Sequence, residues 1–144
     1  MDAKTMWEQY AIPNGILDAY DAWCFGDDAN TLADLVLKGI KTATASAYPI
    51  YELEGEELPQ EGQHSVVLWE DESAACIIKT TKVYIVPFDE VSAEQAFREG
   101  EGDRTLSYWQ RVHRDFFSNE METAGLPFTE DMKVVCEEFI RVFP

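Results

Sequence analysis

The sequence is poor in basic residues: 11 lysines and arginines stand against 28 aspartates and glutamates, giving a formal net charge of −17. Loose binding to a nucleic-acid backbone depends on clustered lysine and arginine, so this deficit argues against non-specific DNA binding. A nucleic acid could be bound only at a local basic site. We interpret most of the acidic excess as a solvated surface that favours solubility.

Long hydrophobic runs and paired cysteines are also missing. No stretch approaches the roughly 18 consecutive apolar residues of a membrane span, and residues 1–10 lack the basic start and apolar centre of a secretory signal. The three cysteines, Cys24, Cys76 and Cys136, are odd in number and lie far apart, which argues against a disulfide framework. We therefore expect a cytoplasmic protein with no membrane contact, in which Cys76 is a small buried hydrophobic residue.

The 144 residues are the size of one ordinary domain, long enough to bury a core without disulfide or metal staples. Apolar clusters between Lys4 and Trp23, interrupted at residues 13–15, predict two short helices around a turn. We assign residues 1–24 to an N-terminal helical extension packed on the domain, and residues 25–144 to the domain itself. The remaining pattern predicts an α+β fold, with short strands around a few helices.

Apolar periodicity and turn residues place the remaining elements. An apolar face within residues 32–36 predicts a helix that ends at Gly39, because glycine closes helices in the left-handed conformation at little cost. Ser92 has capping-box spacing before a short helix, and a longer helix starts near Thr105. The predicted strands cover residues 42–53, 64–69, 74–79, 81–86 and 133–143.

The densest chemistry follows Gly39, where Lys41 stands among three hydroxyl side chains, those of Thr42, Thr44 and Ser46. In one regular strand Lys41 and Thr44 would face opposite sides, because side chains alternate with a period of two. If the strand instead begins near Thr44, both side chains can point into one concavity at the mouth of the strand. The alternative is an exposed lysine beside threonines that merely favour β-structure.

Three carboxylates, from Glu99, Glu101 and Asp103, alternate with glycines between two predicted helices. A metal loop is one interpretation, but the segment lacks the calcium-loop register and a partnering histidine cluster. A solvated acidic link fits Glu101 and Asp103 better, whereas Glu99, at a helix end, could point inward and act as an acid or a base. We therefore predict no metal site and no cofactor.

Trp109 and His113 border the apolar face of the helix that starts near Thr105. A core histidine with a satisfied hydrogen bond is the favoured interpretation of His113, and a ligand role is the alternative. Trp109 and Trp69 could stack a nucleobase, since such stacking contributes about 1–3 kcal/mol per base. Aromatic residues at this spacing are more often part of the core.

Together these residues resemble the ASCH domain family. The resemblance covers the chain from about Phe25 to the C-terminus, and the order and spacing of its motifs make it specific. It implies a PUA-like, mixed or antiparallel β-barrel with surrounding helices, whose mouth forms a cleft that accepts RNA or a nucleoside. The motifs are Gly39-x-Lys41-x-x-Thr44-x-Ser46, residues 83–91, residues 99–103, and Tyr108-Trp109 followed by His113 and Phe116-Phe117.

One small branch of that family hydrolyses the acetyl amide of N(4)-acetylcytidine. Carried over residue by residue, its catalytic set falls on Lys41, Thr44 and Glu99. Thr44 could attack the amide if an uncharged, buried Lys41 takes its proton. In a second mechanism Glu99 activates water, while charged Lys41 and the Thr44 hydroxyl hold the oxyanion. In either mechanism Glu99 is the natural group to protonate the departing amine.

Substrate contacts are assigned to Ser46, Trp109 and His113. Many members of the family carry a basic residue where this chain has Ser46, which favours a neutral substrate over a bound phosphate. We predict a small-molecule amidohydrolase acting on an acylated nucleoside. The alternatives are an RNA-binding or modified-nucleotide-binding module without catalysis, and a metal-independent ribonuclease acting on single-stranded RNA. The only candidates for a basic groove are Lys79, Lys82, Arg98, Arg104, Arg111 and Arg114.

Overall fold

The computed structural model describes the whole chain, Met1–Pro144, as five α-helices and one five-stranded sheet. The helices are α1 (Ala3–Ala11), α2 (Ala29–Leu37), α3 (Tyr48–Glu54), α4 (Ala93–Glu99) and α5 (Leu106–Thr123), with a short 3-10 helix at Phe88–Glu90. The strands are β1 (Tyr20–Trp23), β2 (Ala43–Ala47), β3 (His64–Leu68), β4 (Ala74–Pro87) and β5 (Lys133–Phe143). The predicted α+β fold is confirmed. None of the helices is both long and apolar enough to traverse a bilayer.

The sheet has the strand order β1-β3-β4-β5-β2, and only the β1–β3 pair is parallel. The long strands β4 and β5 pair along most of their length, and their register shifts at Ile77/Ile78 and again at Thr80/Lys82. Such bulges bend a strand and increase its twist. β1 and β2 remain as the two edges, so strand pairing does not close the sheet into a ring. The barrel implied by the family resemblance stays a prediction.

Apolar clusters cover both faces of the sheet. α5 contributes Phe117 to the largest cluster, which packs on β2 and β5. α2 contributes Val36 to a second cluster on β3 and β4, and α1 contributes Trp7 to a third cluster on the opposite face of the same two strands. Cys76 and Cys136 are fully buried, and the expectation for Cys76 is confirmed.

The N-terminal segment differs from the prediction in its second half. α1 forms where a first helix was expected, and the Asp2 side chain caps its N-terminus. Tyr20–Trp23 form strand β1, so the predicted second helix is wrong. Pairing with β3 and aromatic packing, including the Tyr20 ring stacked 4.8 Å from that of Trp7, outweigh the weak local helical spacing. The division of the chain at residue 24 stays a prediction.

Two of the predicted strand segments also differ from the structure. Residues 48–54 form α3 rather than the continuation of a strand, because Pro49 suits the first turn of a helix and Gly55, with φ +66°, ends it. The predicted strands 74–79 and 81–86 are one strand, β4, bent at the second bulge. The predicted helices that end at Gly39 or begin after Ser92 and Thr105 are confirmed.

Candidate functional site

Lys41 lies in the connection between α2 and β2. Gly39, with φ +76°, ends α2, and the next two backbone N–H groups donate to the Leu35 carbonyl. β2 begins at Ala43, so Lys41 precedes the strand. The alternation of side chains along β2 therefore does not set the direction of the Lys41 side chain. Its side chain is 1% exposed, which rules out the alternative of an exposed lysine.

The Lys41 ammonium is surrounded by acidic groups at the C-terminal end of α4. It donates to Glu101 Oε2 at 3.0 Å and to the Glu99 carbonyl oxygen at 3.3 Å, and it lies 3.7 Å from Glu99 Oε1. The centroid of the Phe25 ring is 5.2 Å from Nζ, a cation–π contact. A charge this deeply buried needs such partners, because desolvation would otherwise make it very costly.

Glu99 is fully buried, and both of its carboxylate oxygens have partners. Oε2 accepts from Trp109 Nε1 at 2.6 Å and from Gln95 Nε2 at 3.2 Å, and Oε1 lies 3.4 Å from His113 Nε2. Burial raises the pKa of Glu99, but the hydrogen bond from His113 and the charge of Lys41 outweigh burial and hold the pKa below its ordinary value. Glu99 is therefore an ionised carboxylate at neutral pH.

Trp109 and His113 stack on each other, with ring centroids 4.1 Å apart, and are 2% and 8% exposed. His113 Nδ1 donates to the Trp109 carbonyl oxygen at 2.9 Å, so its Nε2 faces Glu99. Burial lowers the pKa of His113, but the hydrogen bond and charge of Glu99 outweigh it and raise the pKa above its ordinary value. Both rings belong to the core, and their contact with a substrate stays a prediction.

The same acidic cluster has the spacing of a metal site. Ligand atoms of Glu99, Glu101 and His113 all lie within 4.8 Å of one another. The Lys41 ammonium already contacts both carboxylates, and a metal ion would have to displace it. These residues therefore fit the lysine better than a metal ion.

A cleft of about 1060 Å³ opens beside β2. Ala45 and Ala47 pack against the cluster that contains Trp109, and alternation along the strand turns Thr44 and Ser46 the other way, into the cleft. The hydroxyl groups of Ser46 and Tyr51 share a hydrogen bond of 2.9 Å across this surface. Cys24, which is exposed, and Phe25 also line the cleft.

The predicted catalytic residues are thus divided between the cleft and a buried network behind it. Thr44 lines the cleft, whereas Lys41 and Glu99 lie with Trp109 and His113 in the network. Gln95 joins the two, because its Nε2 donates to the Thr44 carbonyl oxygen at 3.1 Å and also to Glu99. Phe25 is shared as well, since it lines the cleft and contacts Lys41. The catalytic roles of these residues stay predictions.

Glu137 is a candidate that sequence reasoning missed. It lies directly opposite Thr44 in the β2–β5 register, on the same face of the sheet, and it lines the cleft. Burial raises the pKa of Glu137 to about 7, although the Thr80 hydroxyl acts to lower it. A signal was present: with a period of two, Glu137 shares a face with Val135 and Phe139, so it is a carboxylate on an apolar strand face.

The only charged side chains that line the cleft are acidic. Its lining contains no lysine or arginine. Among the basic residues considered for an RNA groove, Lys82, Arg98 and Arg114 each pair with a carboxylate elsewhere. The structure therefore does not gather a basic groove at the cleft. Besides Glu137, the carboxylates that line it are those of Asp18, Asp21, Glu56, Glu57, Glu61 and Glu120.

Comparison with known proteins agrees with the family resemblance. The ASCH domain family matches residues 21–143, and the chain belongs to this family. The ASCH domain of Lactobacillus crispatus JV V101 is 36% identical, with a TM-score of 0.87 over 98% of this chain and 94% of that one. A protein of Enterococcus faecalis V583 is 37% identical, with a TM-score of 0.91 over 97% of this chain and 87% of that one.

A third solved structure, of a hypothetical protein, is 15% identical and covers 86% of this chain and all of that one, with a TM-score of 0.59. At this identity it shows a shared fold and nothing more. No curated protein matches the chain. The family is therefore shown by the domain match and by two solved structures of similar length.

Proposed function

We propose that this protein is a hydrolase that cleaves the acyl amide of a small, neutral nucleoside such as N(4)-acetylcytidine. The observation that carries the proposal is the lining of the cleft, where hydroxyl groups and seven carboxylates meet without a lysine or arginine. A neutral nucleoside meets no charge repulsion in such a cleft, whereas phosphate groups would be repelled. A PUA-like barrel and a cytoplasmic location remain part of this proposal.

Lys41, Thr44 and Glu99 are the catalytic set that the family resemblance implies. The Thr44 hydroxyl faces the cleft and makes no hydrogen bond within the protein, so it is available to an acyl oxygen. Lys41 already acts as a hydrogen-bond donor to Glu101, which is 17% exposed and could release it. The position of Thr44 supports the mechanism in which its hydroxyl holds the oxyanion, a contribution of about 2.7–4 kcal/mol per donor in other enzymes. Lys41 lies in the buried network behind the cleft, so a direct contact with the oxyanion requires it to leave Glu101.

The direct test is chromatography of acetylcytidine after incubation with the wild type and with Lys41→Ala, Thr44→Val and Glu99→Gln. We expect the wild type to release cytidine and acetate, and Thr44→Val to be slower by about 10²–10³-fold. Thr42→Val is the matched control, because the Thr42 hydroxyl donates to the Arg98 carbonyl oxygen and does not line the cleft.

Two outcomes would contradict the proposal in different ways. No turnover above buffer by the wild type would refute the activity. Activity that survives all three changes would refute the site assignment and leave the activity standing. Circular dichroism of each variant separates loss of catalysis from loss of folding.

RNA is the second candidate partner, because ASCH domains are PUA-like and RNA binding is a proposed function of the family. A binding module predicts titratable affinity for RNA without product. A ribonuclease predicts cleavage of single-stranded RNA that persists in a metal chelator. The acidic cleft and the paired arginines favour the nucleoside hydrolase over both.

A further inference from the structure

We propose that Glu137 is the proton carrier of the reaction, a catalytic residue outside the set implied by the family resemblance. This inference rests on the proposed function, because it assigns a role within that hydrolysis. It follows from the placement of Glu137 in the cleft and from its lack of a charged partner. It also follows from the hydrogen bonds and ion pairs that already engage both oxygens of Glu99.

The placement is set by strand register. Glu137 and Thr44 are directly opposed in an antiparallel pair, where Cβ atoms lie about 4.5–5.5 Å apart on one face. An acyl group held by the Thr44 hydroxyl is therefore within reach of the Glu137 carboxyl group. The adjacent Glu138 points to the other face of β5 and pairs with Lys82 and Arg98.

No cation faces Glu137 from the elements packed around it. β4 supplies the Thr80 hydroxyl, α3 supplies Tyr51, α5 supplies Glu120, and the loop after α3 supplies further glutamates. Tyr51 and Glu120 are neutral or negative side chains, so neither can supply a compensating positive charge, and burial raises the pKa of both. Glu137 makes no salt bridge, and its pKa of about 7 lets it take up and release a proton near neutral pH.

Glu99 is poorly suited to the same task. Its two oxygens are engaged by Trp109, Gln95, His113 and Lys41, and its pKa lies below its ordinary value. A carboxylate in that state holds donors in place, but at neutral pH it is a weak base and carries no proton to give to a departing amine. We therefore assign Glu99 to positioning Lys41, and Glu137 to proton transfer.

The reaction balances with one water molecule. The water oxygen attacks the amide carbonyl carbon while the Glu137 carboxylate takes one of its protons. The carbonyl electron pair moves to oxygen, where the Thr44 hydroxyl stabilises it. When the C–N bond breaks, Glu137 returns the proton to the departing nitrogen, leaving acetate, a proton released to solvent, and the free amine of cytidine.

The test is the pH profile of kcat/KM for acetylcytidine, measured on the wild type, Glu137→Gln, Glu137→Asp and Glu138→Gln. We expect the wild-type rate to rise through a midpoint near pH 7 as Glu137 ionises. Glu137→Gln should lower kcat about 10²–10⁴-fold and abolish this limb. Glu137→Asp should keep the limb with a shifted midpoint, and Glu138→Gln should keep the wild-type rate and midpoint.

The outcomes distinguish this inference from the proposed function. If the wild type releases acetate and Glu137→Gln keeps both the rate and the limb, the role of Glu137 is refuted and the hydrolase stands. If the wild type releases no acetate, both fall together. A purely structural role for Glu137 would lower the rate without moving the midpoint in Glu137→Asp, and that result also refutes the inference.

Discussion

At the scale of single residues, Lys41 and Glu99 depend on each other. Both are 1% exposed, and each supplies the charge that makes burial of the other tolerable. Replacing one partner of such a pair leaves an uncompensated charge in the core, which typically costs about 3–5 kcal/mol. The ion pair is therefore a structural requirement as well as a part of the proposed site.

We expect Lys41→Met to lower the free energy of unfolding by about 3–5 kcal/mol, because Glu99 would lose its ammonium partner. Urea denaturation measures this change. Lys38→Met is the matched control: Lys38 is 61% exposed and pairs with Asp34, so the loss should stay below about 1 kcal/mol. Equal losses in the two variants would mean that the buried ion pair contributes no more than a surface pair.

The raised pKa of Glu137 makes the free energy of unfolding fall as the pH rises. Its pKa is raised from 4.5 to about 7 in the folded protein, so the folded state binds more protons than the unfolded state between these values. Its contribution to stability is therefore full below about pH 4.5 and is lost as the pH rises through 7. His113, whose pKa is also raised, acts in the same direction.

We expect Glu137→Gln to gain stability relative to the wild type as the pH rises, because the amide cannot ionise. The difference between the two unfolding free energies should grow by about 3 kcal/mol from pH 4 to pH 8. Urea denaturation at both values provides the measurement, and the contribution of His113 is common to both proteins. A difference that does not change with pH would show that Glu137 is well solvated.

At the scale of elements, the sequence predicted best where local signals decide. Gly39 ends α2 as expected, and the Ser92 and Thr105 side chains cap α4 and α5. These features depend on residues within one turn of each other. For Lys41 the sequence left two alternatives open, and β2 begins at Ala43, so the lysine precedes the strand.

Two of the failures lie where distant pairing decides. β1 is a strand because it pairs with β3, whose residues follow about forty positions later along the chain. Glu137 was missed for the same reason, since only the β2–β5 register brings it opposite Thr44. Lys41, Thr44 and Glu99 were proposed as a set from the family resemblance, and their catalytic roles stay a prediction. The separation of Thr44 from the other two depends on tertiary packing.

Gly100 determines how closely α4 approaches the connection that carries Lys41. A Cβ atom at this position would lie 2.7 Å from the Ile40 carbonyl oxygen, and its φ of +74° also disfavours other residues. Gly39 has a similar φ of +76°, but a Cβ atom there would meet nothing within 4 Å. Both glycines thus adopt the left-handed conformation, but a side chain would collide with a neighbour only at Gly100.

We expect Gly39→Ala to lower the free energy of unfolding by about 1–2 kcal/mol, which is the cost of the left-handed conformation alone. Gly100→Ala should cost more, because the loop that carries Lys41 must move away from α4 as well. Chemical denaturation of both variants under one set of conditions tests the difference. A loss at Gly100 no larger than that at Gly39 would show that Ile40 yields freely.

At the scale of the whole molecule, the net charge determines which partners we expect. The chain carries a net charge of −17, and seven of its carboxylates line the cleft. We expect kcat/KM for acetylcytidine 5′-phosphate to be roughly tenfold below that for acetylcytidine, because the phosphate is repelled. Added salt should narrow the gap by screening the charges and leave the neutral substrate unaffected.

Steady-state kinetics at two ionic strengths measures this preference. Fluorescence anisotropy with a labelled single-stranded RNA at about 0.15 M salt provides the companion measurement, and we expect no binding. A phosphorylated substrate that is turned over faster, or an RNA that binds, would favour the RNA alternative over the nucleoside hydrolase.

The three cysteines differ in exposure, so their rates of chemical labelling report on the cleft and on the core separately. Cys24 is exposed at the cleft, whereas burial raises the pKa of Cys76 to about 11 and that of Cys136 to about 12. Because the thiolate is the reactive form, an aromatic disulfide reagent should label one thiol per folded chain and all three in urea. A fluorophore attached at Cys24 would then report whether a ligand occupies the cleft. The slower labelling of Cys76 and Cys136 would measure the rate at which the core opens.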